Sequence, residues 1–468
     1  MTDQPTKIHL PYNYTPRDYQ LPVLQGLDKG YKRAVVVAHR RWGKDKLCIN
    51  HVAREMFSRI GSYYYILPTY AQGKKVIWDG RDRDGFKFTD HIPQALRLRT
   101  DNSNMLIEVK KPSNLMTEDE KIRAKAGDKI PGSIFQVVGS DNIDSIVGAN
   151  PVGIVFSEWA LQDPAAWDYL RPILAENGGW AIFIYTVRGK NHGWTTAQIA
   201  KKYPDLWLYI NQTVEETKAI PAEILAQERL EIIEKDGNDD LYMQEYMNDF
   251  GIAIKGSYFG DLFKNIDEEG RITRVPHDPN HLVYTAWDLG LDNMKVWFIQ
   301  RVGRAFHLID YMEGVEGGFR GFLAEMAKKP YHYGKMYLPH DATAPSGNDG
   351  ETREQIAIEL GHEVVVVATN TFGVDNGIES VKGLLPKCYF DQDSTVNGIS
   401  ALRSYIHEWD DKLKTFKSNP LHNWASHGSD ALRTFAVGWK DDVGGQVTTQ
   451  SDHSANEHQV EVEVDPYE

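Results

Sequence analysis

The chain has 468 residues and a formal net charge of −14, from 52 Lys and Arg against 66 Asp and Glu. This charge excludes a small basic nucleic-acid module as a description of the whole chain, and the length supports two to four domains. With 41% hydrophobic and 25% charged residues, the composition excludes fibrous and fully disordered proteins. The two cysteines, Cys48 and Cys388, are too far apart to suggest a disulfide framework or a cysteine-based zinc site.

The sequence begins without the apolar stretch of a secretory signal. It also contains no uncharged apolar run of roughly 18 residues, the length that a membrane-spanning helix needs. We therefore expect a cytosolic protein without a membrane segment.

Short apolar runs alternate with helix-length segments in the first half of the chain. The predicted strands are residues 34–38, 63–67, 134–138, 153–156 and 181–185. Strands separated by helices are typical of a mostly parallel α/β sheet, which binds its ligands at the carboxyl ends of the strands.

The second half has a different order of elements. Three consecutive runs over residues 282–311, joined by short glycine-containing turns, predict an antiparallel meander. Strands at residues 335–338 and 363–367 and a helix at residues 426–440 follow. A meander followed by α/β alternation is the layout of an RNase H-like nuclease, so we expect an α/β chain with two different sheets.

A phosphate-binding loop is predicted after the first strand, where residues 38–46 read AHRRWGKDK. A strand, then Gly-Lys, then a helix is the context in which backbone N–H groups face phosphates and the lysine reaches the terminal ones. Lys44 is the candidate lysine. The motif G-x-x-x-x-G-K-[ST] is broken at Ala38 and at Asp45, so an accidental Gly-Lys at a helix start is the alternative.

A second ATPase element is the strand that ends in GIVFSE, residues 153–158. Such a strand usually ends in Asp-Glu, with Asp on Mg²⁺ and Glu positioning the attacking water. Glu158 matches the second role, whereas Ser157 replaces the Asp. We predict that Asp45 and Ser157 form the Mg²⁺ shell with their usual ligand types exchanged; the alternative is that Glu158 is a solvated residue at a strand end.

Further candidates for nucleotide binding surround these two elements. Gln20 can make the two hydrogen bonds that an adenine edge requires, and Thr186 follows the fifth strand, where it could sense the γ-phosphate. The loop itself contributes Arg40, Arg41, Trp42, Gly43 and Lys46, of which Arg41 is also a candidate catalytic cation.

The second half carries three aspartates that suggest a two-metal nuclease. Asp288 and Asp341 follow apolar strands, and Asp430 lies at the start of an apolar helix. Carboxylates that converge in this way can hold a pair of Mg²⁺ or Mn²⁺ ions. Asp292 is a candidate fourth ligand, while a helix cap at Asp430 and a turn former at Asp288 are the alternatives.

Three histidines flank these aspartates and could orient a carboxylate or a phosphate. They are His340, His422 and His427, and their spacing does not make a zinc motif. Residues 441–468 contain eight acidic and no basic residues, which predicts a flexible tail. The expected domains are a P-loop ATPase domain (1–215), a helical linker or lid (216–262), an RNase H-like nuclease domain (263–440) and the tail (441–468).

Over residues 10–440 the chain resembles the large terminase subunit of tailed bacteriophages. The motifs that carry the resemblance are, in order, TPRDYQ, HRRWGKD, YYYILPTYAQGKKVIW, GIVFSEWA, YTVRGKNH, AWDLG, LPHDA and SHGSDALR. The resemblance implies an ATPase that uses ATP and Mg²⁺ to pump double-stranded DNA into a procapsid, and a nuclease that cuts the concatemer with two Mg²⁺ or Mn²⁺ ions. It also implies a small terminase subunit, a portal protein and a homo-oligomeric ring, such as a pentamer, as partners in the host cytoplasm.

Position by position, the resemblance gives Lys44 the place of the Walker A lysine, Glu158 that of the catalytic carboxylate and Gln20 that of the adenine contact. Thr186 falls in the segment that links hydrolysis to movement, and the three aspartates match the nuclease ligands. Many relatives carry Arg where this chain has Val147, so Arg123 and Arg188 are candidates for a trans-acting arginine.

Two other functions are consistent with the sequence. A helicase-like, DNA-dependent ATPase without nuclease activity would not nick plasmid DNA in Mg²⁺ or Mn²⁺. A nuclease with a degenerate nucleotide domain would not turn over ATP. A scaffold without enzymatic activity would make both sets of site residues coincidental.

Overall fold

The computed structural model describes residues 8–142, 150–290, 294–345, 350–410 and 415–439. The chain divides into two compact units at residues 260 and 261. The predicted acidic tail and Val147 lie outside the described residues, as does Asp292. The division into an ATPase domain, a linker or lid and a nuclease domain at the boundaries given above stays a prediction.

The first unit is built on a mostly parallel sheet whose order is β3-β4-β5-β2-β6-β7-β1-β8. Its strands are β1 (Arg33–Ala38), β2 (Ser62–Leu67), β3 (Arg97–Asp101), β4 (Leu106–Lys110), β5 (Pro131–Gly139), β6 (Pro151–Ser157), β7 (Trp180–Tyr185) and β8 (Trp207–Gln212). Strands β5, β2, β6, β7, β1 and β8 run parallel, and β3 and β4 form an antiparallel edge. The order places β7 between β1 and β6, which carry the two predicted ATPase motifs.

Helices cover both faces of this sheet, as the buried runs of its central strands require. They are α1 (Leu21–Asp28), α2 (Lys44–Ser58), α3 (Tyr70–Gly73), α4 (Glu118–Lys125), α5 (Ala165–Glu176), α6 (His192–Lys202), α7 (Val214–Thr217), α8 (Ala222–Asp236) and α9 (Asp240–Met247). One core includes Val36 and Leu47, and the core on the opposite face includes Val35 and Phe183. The last three helices share a small core of their own around Tyr242 and Tyr246.

The second unit contains a mixed sheet of order β14-β13-β10-β11-β12-β15-β9. Its strands are β9 (Ile272–Thr273), β10 (Val283–Asp288), β11 (Lys295–Val302), β12 (Ala305–Glu313), β13 (Tyr333–Pro339), β14 (Val364–Val367) and β15 (Cys388–Asp391), and β16 (His407–Asp410) pairs with β17 (Thr415–Pro420) in a separate hairpin. Strands β10, β11 and β12 form the antiparallel meander, and β13 and β14 continue parallel to β10.

The helices of the second unit begin at its boundary with the first. They are α10 (Gly260–Glu268), α11 (Gly318–Ala327), α12 (Arg353–Glu359), α13 (Thr369–Phe372), α14 (Val374–Leu384), α15 (Val396–Ser404) and α16 (Trp424–Gly438). Helix α16 packs on β10 and β11, where the indole N–H of Trp297 donates to the carbonyl of Gly428 at 2.8 Å.

The α/β fold class is confirmed: a unit with a mostly parallel sheet is followed by a unit whose mixed sheet contains the antiparallel meander. All five strands predicted for the first half and the meander are present within a few residues of their expected bounds. The edge hairpin β3–β4 was not predicted, because its half-exposed sequence RLRTD has no apolar run. Among the described residues, none of the helices combines the length and hydropathy that spanning a bilayer requires.

Candidate nucleotide and nuclease sites

The predicted phosphate loop connects β1 to α2 and places Lys44 at the first position of that helix. Arg41 and Gly43 both have positive φ, 68° and 93°, so the loop makes two left-handed turns before the helix begins. The ammonium of Lys44 donates to the carbonyls of Ala38 and His39, at 2.8 and 3.3 Å, and to the Thr186 hydroxyl at 3.0 Å. The Thr186 hydroxyl thus lies beside the predicted phosphate lysine.

Lys44 is a buried cation whose hydrogen-bond acceptors are all neutral. The residue is 8% exposed, and no carboxylate of the described residues lies within ion-pair distance of its ammonium. Burial lowers the pKa of Lys44, while the nearby charges of Glu158 and Asp45 raise it. Because an unpaired buried charge is costly, this position favours an incoming anion.

Glu158 follows β6 and has a left-handed backbone, with φ of 58°. Burial raises the pKa of Glu158, and the charges of Lys44 and Arg188 oppose that rise. No described residue donates a hydrogen bond to its carboxylate. A partly buried carboxylate with a raised pKa and a free acceptor is suited to accept a proton from a water molecule.

Asp45 and Ser157, predicted to share one Mg²⁺ shell, are in direct contact. The Ser157 hydroxyl donates to Oδ1 of Asp45 at 2.7 Å, and the hydroxyl of Tyr65 donates to the same oxygen at 2.8 Å. No donor among the described residues reaches Oδ2 of Asp45, so this oxygen is available to a cation or its water. Tyr65 was not predicted as a site residue, because its sequence context is only an apolar strand.

Other predicted nucleotide residues are occupied by protein contacts. The Gln20 amide N–H donates to the carbonyl of Trp42 at 3.1 Å, and its oxygen accepts from Arg17 and Tyr14. Trp42 is fully buried and donates to Gln212, so it supports the loop from inside. Gln20 therefore fixes the loop here, and its contact with adenine stays a prediction.

The charged loop residues have different surroundings. Arg41 is exposed, whereas Lys46 pairs with Asp82 and Asp84 at 2.7 and 2.6 Å. The Arg40 guanidinium is 59% exposed and lies 3.9 Å from the carboxylate of Glu245. Of the basic loop residues, Lys44 is thus the one that the fold buries without a counter-charge.

Three residues near the loop differ from the sequence-based expectations. Glu245 and His39 were not predicted as site residues, and Arg188 was predicted only as a candidate trans-acting arginine. Glu245 lies on α9 and its carboxylate accepts a hydrogen bond from Arg188, and its backbone carbonyl accepts from the N–H of Arg40 at 2.8 Å. Burial lowers the pKa of His39 to about 4, and this loop residue contacts the Thr217 hydroxyl at 2.7 Å. No sequence motif marks Glu245, since only the packing of α9 brings it to the loop.

The groups around the N-terminus of α2 fit a nucleoside triphosphate with Mg²⁺. A helix N-terminus, a buried lysine without a counter-charge and a carboxylate oxygen without a donor are the groups that phosphates and Mg²⁺ require. This fit rests on Lys44, Asp45 and Glu158, and it does not require the adenine contact of Gln20.

The second unit brings Asp288 and Asp430 together through α16. Asp288 ends β10, and its Oδ2 contacts Nδ1 of His427 at 2.9 Å. Burial raises the pKa of Asp430 to about 6; Arg433 opposes the rise, and the negative charge of Asp288 adds to it. A carboxylate that feels the negative charge of a second carboxylate is in an arrangement that a cation would stabilise.

The position of Asp430 at the helix start was predicted wrongly. Helix α16 begins at Trp424 and is capped by Asn423, whose side-chain oxygen accepts from the N–H of Ala425. Asp430 therefore lies in the second turn, where it cannot cap the helix. Its Oδ1 accepts from Tyr405 at 3.3 Å and pairs with Arg433 at 3.0 Å.

Asp341 lies in the short 3-10 turn after β13, at the same sheet edge as Asp288 because the two strands are parallel. Its Oδ1 is buried without a hydrogen-bond partner. Asp288, Asp341 and Asp430 thus each keep a carboxylate oxygen without a donor from the described residues, which is the donor chemistry of a Mg²⁺ or Mn²⁺ site. The described residues contain no group of three His, Cys, Asp or Glu side chains already in place to hold a metal.

The flanking histidines and the candidate trans-acting arginines all make contacts within the protein. The rings of His422 and His427 lie 5.5 Å apart, and His340 contacts the hydroxyl of Thr369 at 2.8 Å. Arg123 is exposed and pairs with Asp128, whereas Arg188 is 19% exposed and pairs with Glu245.

The chain is similar in sequence to phage terminases. It is 25% identical over 340 residues to the large terminase subunit of Escherichia phage T5, covering 69% of this chain and 73% of that protein. It is 27% identical over 185 residues to the large terminase subunit of Thermus phage G20c, covering 38% of this chain and 35% of that one. No family model matches the chain.

The solved structures that resemble the chain include large terminases. The HK97 bacteriophage large terminase has a TM-score of 0.44 at 10% identity, covering 90% of this chain and 93% of that chain. The large terminase of a thermophilic bacteriophage, in complex with ATP-gamma-S, has a TM-score of 0.37 at 13% identity, covering 90% and 98%. The chain is thus similar in sequence to the large terminase subunits of bacteriophages.

Proposed function

We propose that this chain is the large subunit of a viral DNA-packaging motor, which hydrolyses ATP to move double-stranded DNA into a procapsid and cleaves the DNA concatemer. The observation that carries the proposal is Lys44, a buried ammonium with neutral acceptors at the N-terminus of α2. The sequence similarity of the chain to the phage T5 protein supports this role.

In the first unit, each residue has one task in ATP hydrolysis. Lys44 binds the terminal phosphates, and Glu158 orients a water molecule and takes its proton. Asp45, held through Oδ1 by Tyr65 and Ser157, offers Oδ2 to Mg²⁺ or to its water. Mg²⁺, when bound, neutralises phosphate charge.

In the second unit, Asp288, Asp341 and Asp430 are the residues that would hold two divalent ions. When bound, Mg²⁺ or Mn²⁺ lowers the pKa of a water molecule and stabilises the leaving oxygen of a phosphodiester. His427 holds Asp288 in place, and Tyr405 with Arg433 orients Asp430. The packaging role further implies a small terminase subunit, a portal protein and a ring of copies of this chain as partners in the host cytoplasm.

The test is to measure ATP turnover and plasmid cleavage on one preparation, with Mg²⁺, with Mn²⁺ and with a chelator. Both activities should appear with metal and disappear on chelation. ATP turnover without cleavage in either metal would favour the helicase-like ATPase, and cleavage without turnover would favour a nuclease with a degenerate nucleotide domain.

A further inference from the structure

Arg188 and Glu245 form an ion pair beside the candidate ATPase site that the assignments above do not use. The Arg188 side chain is 19% exposed and that of Glu245 is 8% exposed. Removing two charges from water is costly, so the ion pair by itself is a weak argument for stability, and its position suggests a functional role.

The pair lies beside the predicted phosphate loop. Arg188 is two residues after Thr186, whose hydroxyl accepts from the Lys44 ammonium at 3.0 Å. The guanidinium of Arg188 pairs with Glu245, whose backbone carbonyl accepts from the N–H of Arg40 in the loop at 2.8 Å. In agreement with this position, the charge of Arg188 lowers the pKa of both Lys44 and Glu158.

Only one edge of the Arg188 guanidinium is used by the protein. Its Nη1 donates to the Glu245 carboxylate and to the carbonyl of Val187, while Nε and Nη2 have no acceptor among the described residues. Two N–H groups on one edge of a guanidinium match two oxygens of a phosphate. The contact with Glu245 therefore fixes the orientation of the guanidinium and leaves a phosphate-binding edge free.

Glu245 is in turn fixed against the phosphate loop. Its backbone carbonyl accepts from the N–H of Arg40 at 2.8 Å, and Asn248, just after α9, donates to Gln212 at the end of β8. The backbone that carries the Glu245 carboxylate is thus held against both the loop and the sheet.

We propose that Arg188 is a further phosphate-binding residue, which contacts the terminal phosphate of a nucleotide bound in the same chain, and that Glu245 is the positioning residue that orients it. The inference rests on the proposed ATP site. It gives Arg188 a role in its own chain, in place of the trans-acting role considered from the sequence.

The test compares the affinities of a non-hydrolysable ATP analogue and of ADP, because only the former has the γ-phosphate, which is the terminal phosphate meant here. Arg188→Ala should reduce the ratio of these affinities by about tenfold, the size of one charge-assisted contact. Glu245→Gln should reduce the ratio by a smaller factor. In the Arg188→Ala background Glu245→Gln should have no further effect on the ratio, since there is then no guanidinium to position.

Two variants with the same chemical change serve as controls. Arg171→Ala removes an exposed arginine from α5, and Glu234→Gln removes an exposed carboxylate charge from α8. Both should leave the affinity ratio unchanged. Thermal unfolding without nucleotide reports whether Arg188→Ala is folded; if it is not, Arg188→Lys, which keeps the charge beside Glu245 but loses the forked edge, should show the reduced ratio.

The outcomes separate the inference from the proposed function. If Lys44→Ala weakens both nucleotides while the Arg188 variants keep the wild-type ratio, the inference is wrong and the ATP site stands. If Lys44→Ala also leaves binding unchanged, the ATP site itself is wrong. If Glu245→Gln changes the affinity ratio equally with and without Arg188, the Glu245 carboxylate acts on the phosphate directly, by charge repulsion. That result would overturn its role in positioning Arg188.

Discussion

At the scale of single residues, the candidate ATPase site differs from the usual motif in where its carboxylate lies. Asp45 is on α2 and Ser157 ends β6, and the two are joined by a 2.7 Å hydrogen bond. Since Tyr65 donates to the same carboxylate oxygen, the protein holds one side of Asp45 and leaves the other oxygen to a ligand.

The first prediction concerns this exchange. Asp45→Ala should reduce ATP turnover more than Ser157→Ala, because a carboxylate contributes charge and a hydroxyl only a dipole, and charge-assisted contacts are roughly twice as strong. The double change Asp45→Thr with Ser157→Asp should recover activity that either single change loses. The measurement is ATP turnover at saturating Mg²⁺, analysed as a double-mutant cycle.

The competing explanation is that Asp45 only complements the positive end of α2. Asp45→Ser would then be nearly silent, and the losses at the two positions would add. Additive losses would therefore count against a shared Mg²⁺ shell, without affecting the assignment of Lys44.

The second prediction concerns His427, which contacts Asp288 at 2.9 Å. His427→Ala should slow DNA cleavage by about 10- to 100-fold, the usual effect of losing a group that orients a metal ligand, and should spare ATP turnover. His427→Asn, whose amide N–H can replace the Nδ1 donor, should retain more cleavage than His427→Ala. Equal loss in both variants would show that the hydrogen bond to Asp288 is not what matters.

At the scale of elements, the position of α16 and α15 on the second sheet determines where Asp430 lies. Trp297 of β11 is fully buried between them, and its indole donates to Gly428 of α16. At Gly398 of α15 an added Cβ would lie 2.3 Å from the indole ring of Trp297, so this glycine allows the close approach.

The third prediction follows from that contact. Gly398→Ala should lower the free energy of unfolding by about 1–3 kcal/mol, because the ring and the helix must separate to admit a methyl group. The matched control is Gly383→Ala in α14, where an added Cβ meets no atom within 4 Å. We expect this control to be neutral or slightly stabilising, since Ala has a higher helix propensity than Gly. Chemical denaturation gives the free energy of unfolding of both variants. An equal change in the two variants would contradict the packing argument.

At the scale of the whole molecule, the proposed ATPase and nuclease residues lie in different compact units. The fourth prediction is that the two activities can be removed separately. Lys44→Ala should abolish ATP turnover and keep plasmid cleavage, because the lysine binds the negatively charged phosphates of ATP in the first unit and takes no part in the second. Asp288→Asn should do the reverse, because the amide removes charge that holds divalent ions.

Both activities are measured on each variant, with circular dichroism to verify folding. Loss of both activities in a folded Lys44→Ala protein would contradict the division of labour between the units. Normal cleavage by the Asp288→Asn variant would show that this aspartate is a turn former and not a metal ligand.

The sequence alone determined the local elements. The apolar run at residues 34–38, the Gly-Lys that follows it and the strand ending at Glu158 carry their signals within a few neighbouring residues, and they were predicted correctly as strand, loop and strand end. The charged edge strand β3 was missed, since a half-exposed strand needs no apolar run.

Tertiary structure alone decided which of these residues meet. Ser157 contacts Asp45 across 112 positions, Arg188 contacts Glu245 across 57, and His427 contacts Asp288 across 139. Each contact depends on the order of strands in a sheet or on the packing of a helix, which are set by non-local burial and hydrogen bonding. Local patterns therefore identify the chemistry available to this protein, and the fold determines which groups can act together.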